Sequence, residues 1–136
     1  MPPLVLVVED EAILGRCISQ YLVHHGYATA VAQSGEEGVR LMAEASAAVA
    51  VVDLKLPGMD GLEVLRRIRE ISPATAVIMM TAQSSGASAV VARKRGAFDY
   101  LAKPLALEHL RTVVDNAVVH RRQSAQPSLV SSAAKR

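Results

Sequence analysis

The chain has 136 residues, enough for one compact domain that buries roughly two-thirds of the surface its unfolded form exposes. Apolar residues make up 51% and aromatic residues 3%, so the core rests on Val, Leu, Ile, Met and Ala. The net charge of +2 is scattered in short runs such as Arg66-Arg67 and Arg93-Lys94-Arg95, which fits solvated helix faces and speaks against direct nucleic-acid binding; a single cysteine, Cys17, excludes an internal disulfide or a cysteine zinc site.

The first apolar run, Leu4–Val8, is far too short to span a bilayer. No basic residue precedes it and no small-residue cleavage pattern follows, so no signal peptide or membrane segment is predicted and a soluble, cytoplasmic protein is expected. A helix follows with Ile13, Leu14, Cys17, Ile18, Tyr21 and Leu22 at three-to-four spacing; Cys17 falls on this apolar side and is expected to be a buried, inert thiol. Gly26 can adopt the left-handed conformation that ends helices. The next strand is predicted at 28–31. Ser34 with Glu37 then reads as a cap answered three residues later by a reciprocal Glu. Residues 49–52 form a third apolar run, and Asp60 with Glu63 caps a helix carrying Leu62, Leu65 and Ile68. Strands are predicted again at 76–80 and 98–101, followed by the clearest helix, with Leu107, Leu110, Val113, Val114, Ala117 and Val118 on one side. From Arg122 onward the pattern dissolves into Ser, Gln, Pro, Ala and Lys, giving a folded unit over 1–121 and a linker or disordered tail over 122–136.

Strand and helix alternating five times indicate a doubly wound parallel sheet with helices on both faces. In such a sheet, ligands bind beyond the carboxyl ends of the strands. The first strand is followed by Glu9, Asp10 and Glu11, the third ends in Asp53, the fourth in Thr81, and the fifth is followed by Lys103-Pro104. The second offers only Gln33 and Ser34 and reads as an edge strand. Right-handed crossovers bring the others to one rim. Clustered carboxylates repel unless a cation neutralises them, and oxygen ligands without a full protein cage favour Mg2+. Asp53, at the tip of a buried strand, is the best-placed nucleophile for an acyl phosphate, with the metal and a lysine offsetting charge on the transferred group.

These residues resemble the receiver domain of two-component response regulators. The matching segments are Glu9-Asp10-Glu11, Asp53-Leu54-Lys55-Leu56-Pro57-Gly58-Met59-Asp60-Gly61, Thr81-Ala82 and Phe98-Asp99-Tyr100-Leu101-Ala102-Lys103-Pro104, and the resemblance extends over roughly 4–121. It implies a flavodoxin-like receiver fold of five parallel strands in the order 2-1-3-4-5 with five helices. It implies Asp53 as phosphoacceptor, and Mg2+ held by Asp10, Asp53, the Lys55 backbone carbonyl and Glu9, directly or through water; many members carry Asp where Glu9 stands. Thr81 and Lys103 are implied to bind phosphoryl oxygens, Lys103-Pro104 to be a cis bond, and Thr81 with Tyr100 to form the switch pair. The responsive surface is then the fourth helix, fifth strand and fifth helix, roughly 84–121, which in the family also serves homodimers.

Further expectations come from the same resemblance. A sensor histidine kinase or phosphotransfer protein supplies the phosphoryl group, meeting the first helix around Ile13 to Tyr21. Lys55 and Gln83 stand where side chains tune loss of the phosphoryl group. The segment Gly96 to Pro104 and the final helix look most like receivers of AAA+ transcriptional activators, whose ATPase and helix-turn-helix domains are absent from this chain. The chain is therefore a domain of a longer regulator or a free-standing receiver, a signalling switch rather than a conventional enzyme. Two rivals fit less well. A haloacid-dehalogenase-type phosphatase needs an acid where Lys55 stands, and a flavodoxin-like cofactor binder needs a phosphate loop where the acidic Glu9-Asp10-Glu11 stands.

Overall fold

The computed structural model describes residues 2–82 and 86–124. Its elements in chain order are β1 (Leu4–Val8), α1 (Ala12–His24), β2 (Ala28–Ala32), α2 (Gly35–Glu44), β3 (Val49–Asp53), α3 (Gly61–Ile71), β4 (Ala76–Thr81), α4 (Gly86–Lys94), β5 (Asp99–Ala102) and α5 (Leu107–Ser124). The five strands form one parallel sheet in the order β2-β1-β3-β4-β5, as the resemblance implies.

Side chains alternate across the strands and so feed two cores. Val5, Val7, Val49, Val51, Ile78 and Met80 face α1 and α5, where Ile18, Leu22, Leu110, Val114 and Ala117 cover them. Leu6, Val8, Ala50, Val52, Val77 and Met79 face α2, α3 and α4 and meet Met42, Val64, Leu65, Ile68 and Ala92. β3 and β4 are buried throughout, which is why they read as continuous apolar runs. Each fully buried Val, Leu, Ile or Met side chain contributes about 1.5–3 kcal/mol.

Local signals explain several helix ends. Ser34 accepts from the Glu37 N–H at 3.1 Å, and Glu37 Oε1 accepts from the Gln33 N–H at 2.9 Å, one residue ahead of the cap. Asp60 accepts from the Glu63 N–H at 3.0 Å, but the Glu63 carboxylate turns to Arg66 and Arg67 instead of reaching back. Gly26 follows the end of α1 with φ of 97°. α5 runs to Ser124, three residues past the sequence-based edge of the domain, and 125–136 lie outside the described residues.

One expectation is corrected. Cys17 is exposed, as is Ile13 at 77%. Helix α1 carries two adjacent apolar rows, and the sheet takes the one with Leu14, Ile18 and Leu22. Gly15 suits that roll: a Cβ there would lie 3.3 Å from Val31 Cγ1, so its bareness lets the helix lie close to β2 without displacing that methyl. The row holding Ile13 and Cys17 is left facing outward.

Candidate functional site

Four strand ends converge at one rim. β1 delivers Glu9 and Asp10, and the Glu9 N–H continues the ladder by donating to the Ala32 carbonyl at 2.9 Å. β3 ends on Asp53, paired in register with Met80. β4 ends on Thr81, which is fully buried, and the Lys103 N–H donates to the Thr81 carbonyl at 2.7 Å just beyond β5. One carboxylate oxygen from each of Glu9, Asp10 and Asp53 lies within 4.8 Å of the others.

Lys103 holds this cluster together. Its Nζ donates to Glu9 Oε1 at 2.8 Å and Asp53 Oδ2 at 3.0 Å, and stands 3.8 Å from Glu11 Oε1. Burial pushes the Glu9 carboxyl above its ordinary value, and the nearby Asp53 charge adds to this, against the lowering effect of its bonds to Lys103 and the Glu11 N–H. For Lys103, burial pulls downward, but hydrogen bonds to Glu9 and Asp53 outweigh it and the ammonium titrates above its usual range. One ammonium against the Glu9, Asp10 and Asp53 carboxylates leaves two negative charges at a rim where Glu9 and Asp53 are buried and Asp10 is exposed. An all-oxygen donor set with that surplus fits a hard divalent cation.

The loop after β3 is shaped by Gly61. A Cβ at that position would fall 2.3 Å from the Asp53 carbonyl oxygen and 2.6 Å from Leu54 Cα, so α3 can start this close behind the strand only on glycine. The Lys55 N–H donates to Asp53 Oδ1 at 3.2 Å while the Lys55 side chain is exposed. The Lys103-Pro104 bond is cis. Tyr100 is half-buried and packs on the α2–α4 face of the sheet. It pairs in register with Met79, two residues before Thr81, so both switch candidates are placed on one face of neighbouring strands. Gln83 lies outside the described residues. Sequence reasoning passed over Glu11 as a partner of Lys103 and Gly61 as the spacer behind Asp53; an acidic triplet and a Gly directly after the helix cap are the signals that could have found them.

A doubly wound sheet in this order, with an acidic triad and a lysine at the carboxyl rim, is the architecture of a receiver domain. The Response regulator receiver domain family matches residues 5–115, and the chain belongs to that family, the receiver domain of two-component response regulators. Among its relatives is the transcriptional regulatory protein YkoG of Bacillus subtilis, 39% identical over 106 residues, which cover 78% of this chain and 46% of YkoG. The DNA-binding transcriptional regulator NtrC of Escherichia coli is 34% identical over 124 residues, 91% of this chain and 26% of NtrC. The chain thus spans a quarter to just under half of these regulators. The crystal structure of a response regulator receiver domain protein from Clostridium thermocellum superposes with a TM-score of 0.84 at 33% identity, covering 89% of this chain and 98% of that one. No helix among the described residues is long and apolar enough to cross a membrane.

Proposed function

We propose that the chain is a Mg2+-dependent phosphoacceptor switch in which Asp53 takes a phosphoryl group from a sensor histidine kinase or phosphotransfer protein. The observation that carries this reading is the rim itself: Asp53 at 5% exposure, two further carboxylates within 4.8 Å, and the Lys103 ammonium on Asp53 Oδ2. An Asp53 carboxylate oxygen forms a bond to phosphorus while the phosphorus–nitrogen bond to the donor imidazole breaks, the nitrogen keeping its electron pair and taking up a proton. Glu9, Asp10, Asp53 and the Lys55 backbone carbonyl would hold Mg2+, which when bound offsets the charge shared by the carboxylates and the phosphoryl oxygens. Lys103 pairs with one phosphoryl oxygen and the Thr81 hydroxyl donates to another.

Thr81 moving toward that group makes room on the face it shares with Tyr100, and the ring's two placements form the two-state element. The affected surface is α4, β5 and α5, whose occupants are an output domain absent from this chain, of the AAA+ activator type with a helix-turn-helix, or a second copy of the chain. The switch works in the cytoplasm without contacting nucleic acid or membrane itself. The exposed Lys55 side chain tunes the phosphoryl lifetime, so an unchanged lifetime in Lys55→Ala would dispose of that role.

The test is the intact mass of the chain after incubation with Mg2+ and a small-molecule phosphodonor, beside Asp53→Asn. A gain of one phosphoryl group that needs Mg2+ and is absent from the variant is the expected result. A gain that survives Asp53→Asn means another acceptor, and no gain in a folded wild type refutes autonomous acceptance.

A further inference from the structure

The opposite pole of the sheet, where β4 begins, carries a cavity of about 410 Å³ lined by Arg69, Thr75, the Gly96 backbone, Phe98, His120 and Arg121. None of the described residues lining it carries a carboxylate. The acids nearest in sequence are engaged elsewhere: Glu70 pairs with Arg66 at 3.0 Å, and Asp99 with Arg93 at 2.8 Å. Two guanidinium groups and an imidazole therefore converge on one concavity without a protein counter-charge.

Arg69 and His120 are held in place. Arg69 donates to the Pro73 carbonyl at 2.8 Å, and its Nε lies where a side chain on Gly96 would collide, 2.9 Å from an added Cβ. Gly96 has φ of 100°, so glycine is suited both to the turn and to the space the guanidinium occupies. His120 packs against Phe98 with ring centroids 5.3 Å apart and the planes tilted by 46°, giving the cavity an aromatic wall. Arg121 Nε is buried and has no hydrogen-bond partner among the described residues. A buried N–H without an acceptor is a standing cost unless something outside the chain accepts from it.

We propose that this cavity is a second ligand site, for a phosphate-bearing small molecule whose oxygens take the forked donors of Arg69 and Arg121 and whose organic part lies along Phe98 and His120. Paired guanidinium forks match phosphate oxygens in geometry and charge, and a few hundred cubic ångströms is the size of a small-molecule site. His120 and Arg121 both belong to the last turns of α5, so occupancy steadies that end of the helix at the pole away from Asp53.

The test is a titration of the isotope-labelled chain with pyrophosphate and, separately, AMP, followed by amide NMR in EDTA and 150 mM NaCl. Saturable shifts at Gly96, Ala97, Phe98, His120 and Arg121 are expected, with affinity at least tenfold weaker in Arg121→Gln. That arginine has no partner to lose among the described residues, so the variant's amide dispersion should match the wild type. Arg69→Gln should weaken binding similarly. Shifts that follow ionic strength alone, shifts confined to the rim around Asp53 and Lys103, or an unchanged affinity in Arg121→Gln each overturn the proposal. So does saturation of the same amides by an acidic peptide but by neither phosphate probe, which would make the cavity a protein-docking site.

Discussion

Lys103→Met removes the one ammonium bridging Glu9 and Asp53 while keeping an apolar stem of similar reach. At about 3 Å, each lost charge pair represents a gross attraction of about 5 kcal/mol at an effective dielectric near 20. Desolvation of the ammonium offsets much of this, and removing one partner of a buried pair costs about 3–5 kcal/mol. Lys103 keeps 14% of its side chain exposed against 0% for Glu9 and 7% for Asp53, which points to the lower end, about 3 kcal/mol. Urea denaturation at pH 7 in EDTA reads this directly. The loss should shrink toward pH 4. Lys103 titrates above its ordinary 10.5 when folded, so its contribution is fully present at every pH below that and disappears only as pH rises through the folded value. The acid-side recovery therefore comes from the carboxylates. Burial raises Glu9 above 4.5, so protonating it favours the folded state; that gain is complete below 4.5 and is lost as pH rises through the folded value. Mg2+ should stabilise the variant more than the wild type, because three uncompensated charges replace two, with a gain of about 2.7 kcal/mol at 100 times the dissociation constant. A loss under about 1 kcal/mol at pH 7, or equal Mg2+ responses in both proteins, would refute the charge balance drawn for the rim.

Gly61→Ala forces a carbon to 2.3 Å from the Asp53 carbonyl and should destabilise the fold by about 2–3 kcal/mol in urea and slow phosphorylation by a small donor; a loss below about 0.5 kcal/mol would show the loop to be free to shift. Hydrogen bonds from Arg66 and Arg67 hold the Glu63 carboxyl down at about 2, so its stabilising contribution is present above 4.5 and is lost as pH falls toward 2; an NMR titration should find that midpoint, moving up toward 4.5 in an Arg66→Gln, Arg67→Gln double variant. Native Cys17 should react at once and stoichiometrically with a thiol reagent such as Ellman's, without denaturant, and protection in the folded state would return it to the core.

The sequence made the sheet legible because a strand buried on both faces is apolar without interruption, and placing chemistry at strand ends located Glu9, Asp10, Asp53, Thr81 and Lys103 before any coordinates. The third and fourth strands end on Asp53 and Thr81, as the sequence reading places them, because backbone pairing continues one residue past the apolar runs, where side chains turn polar. Helix roll was less legible for α1: Ile13 and Cys17 stand beside the row of Leu14, Ile18 and Leu22, which is the more apolar of the two and the one the sheet takes. The basic cavity left no pattern at all, since its walls come from α3, the turn before β4, the segment around Gly96 and the end of α5.

Where these strands end has a mechanical meaning for the site. Asp53 and Thr81 are ladder residues, paired with Met80 and Ala102, and Glu9 is tied through its own N–H to Ala32, so three of the rim groups are fixed by backbone hydrogen bonds. Lys103 stands one residue beyond the last ladder position of β5, where its backbone N–H bonds to the Thr81 carbonyl. Its long side chain is then the adjustable member of the cluster, able to trade a Glu9 or Asp53 oxygen for another anion while the carboxylates stay still. A rim built this way answers a change in local charge first through Lys103 and, by the Lys103 N–H to Thr81 carbonyl bond, at the end of β4, beside the face where Tyr100 packs.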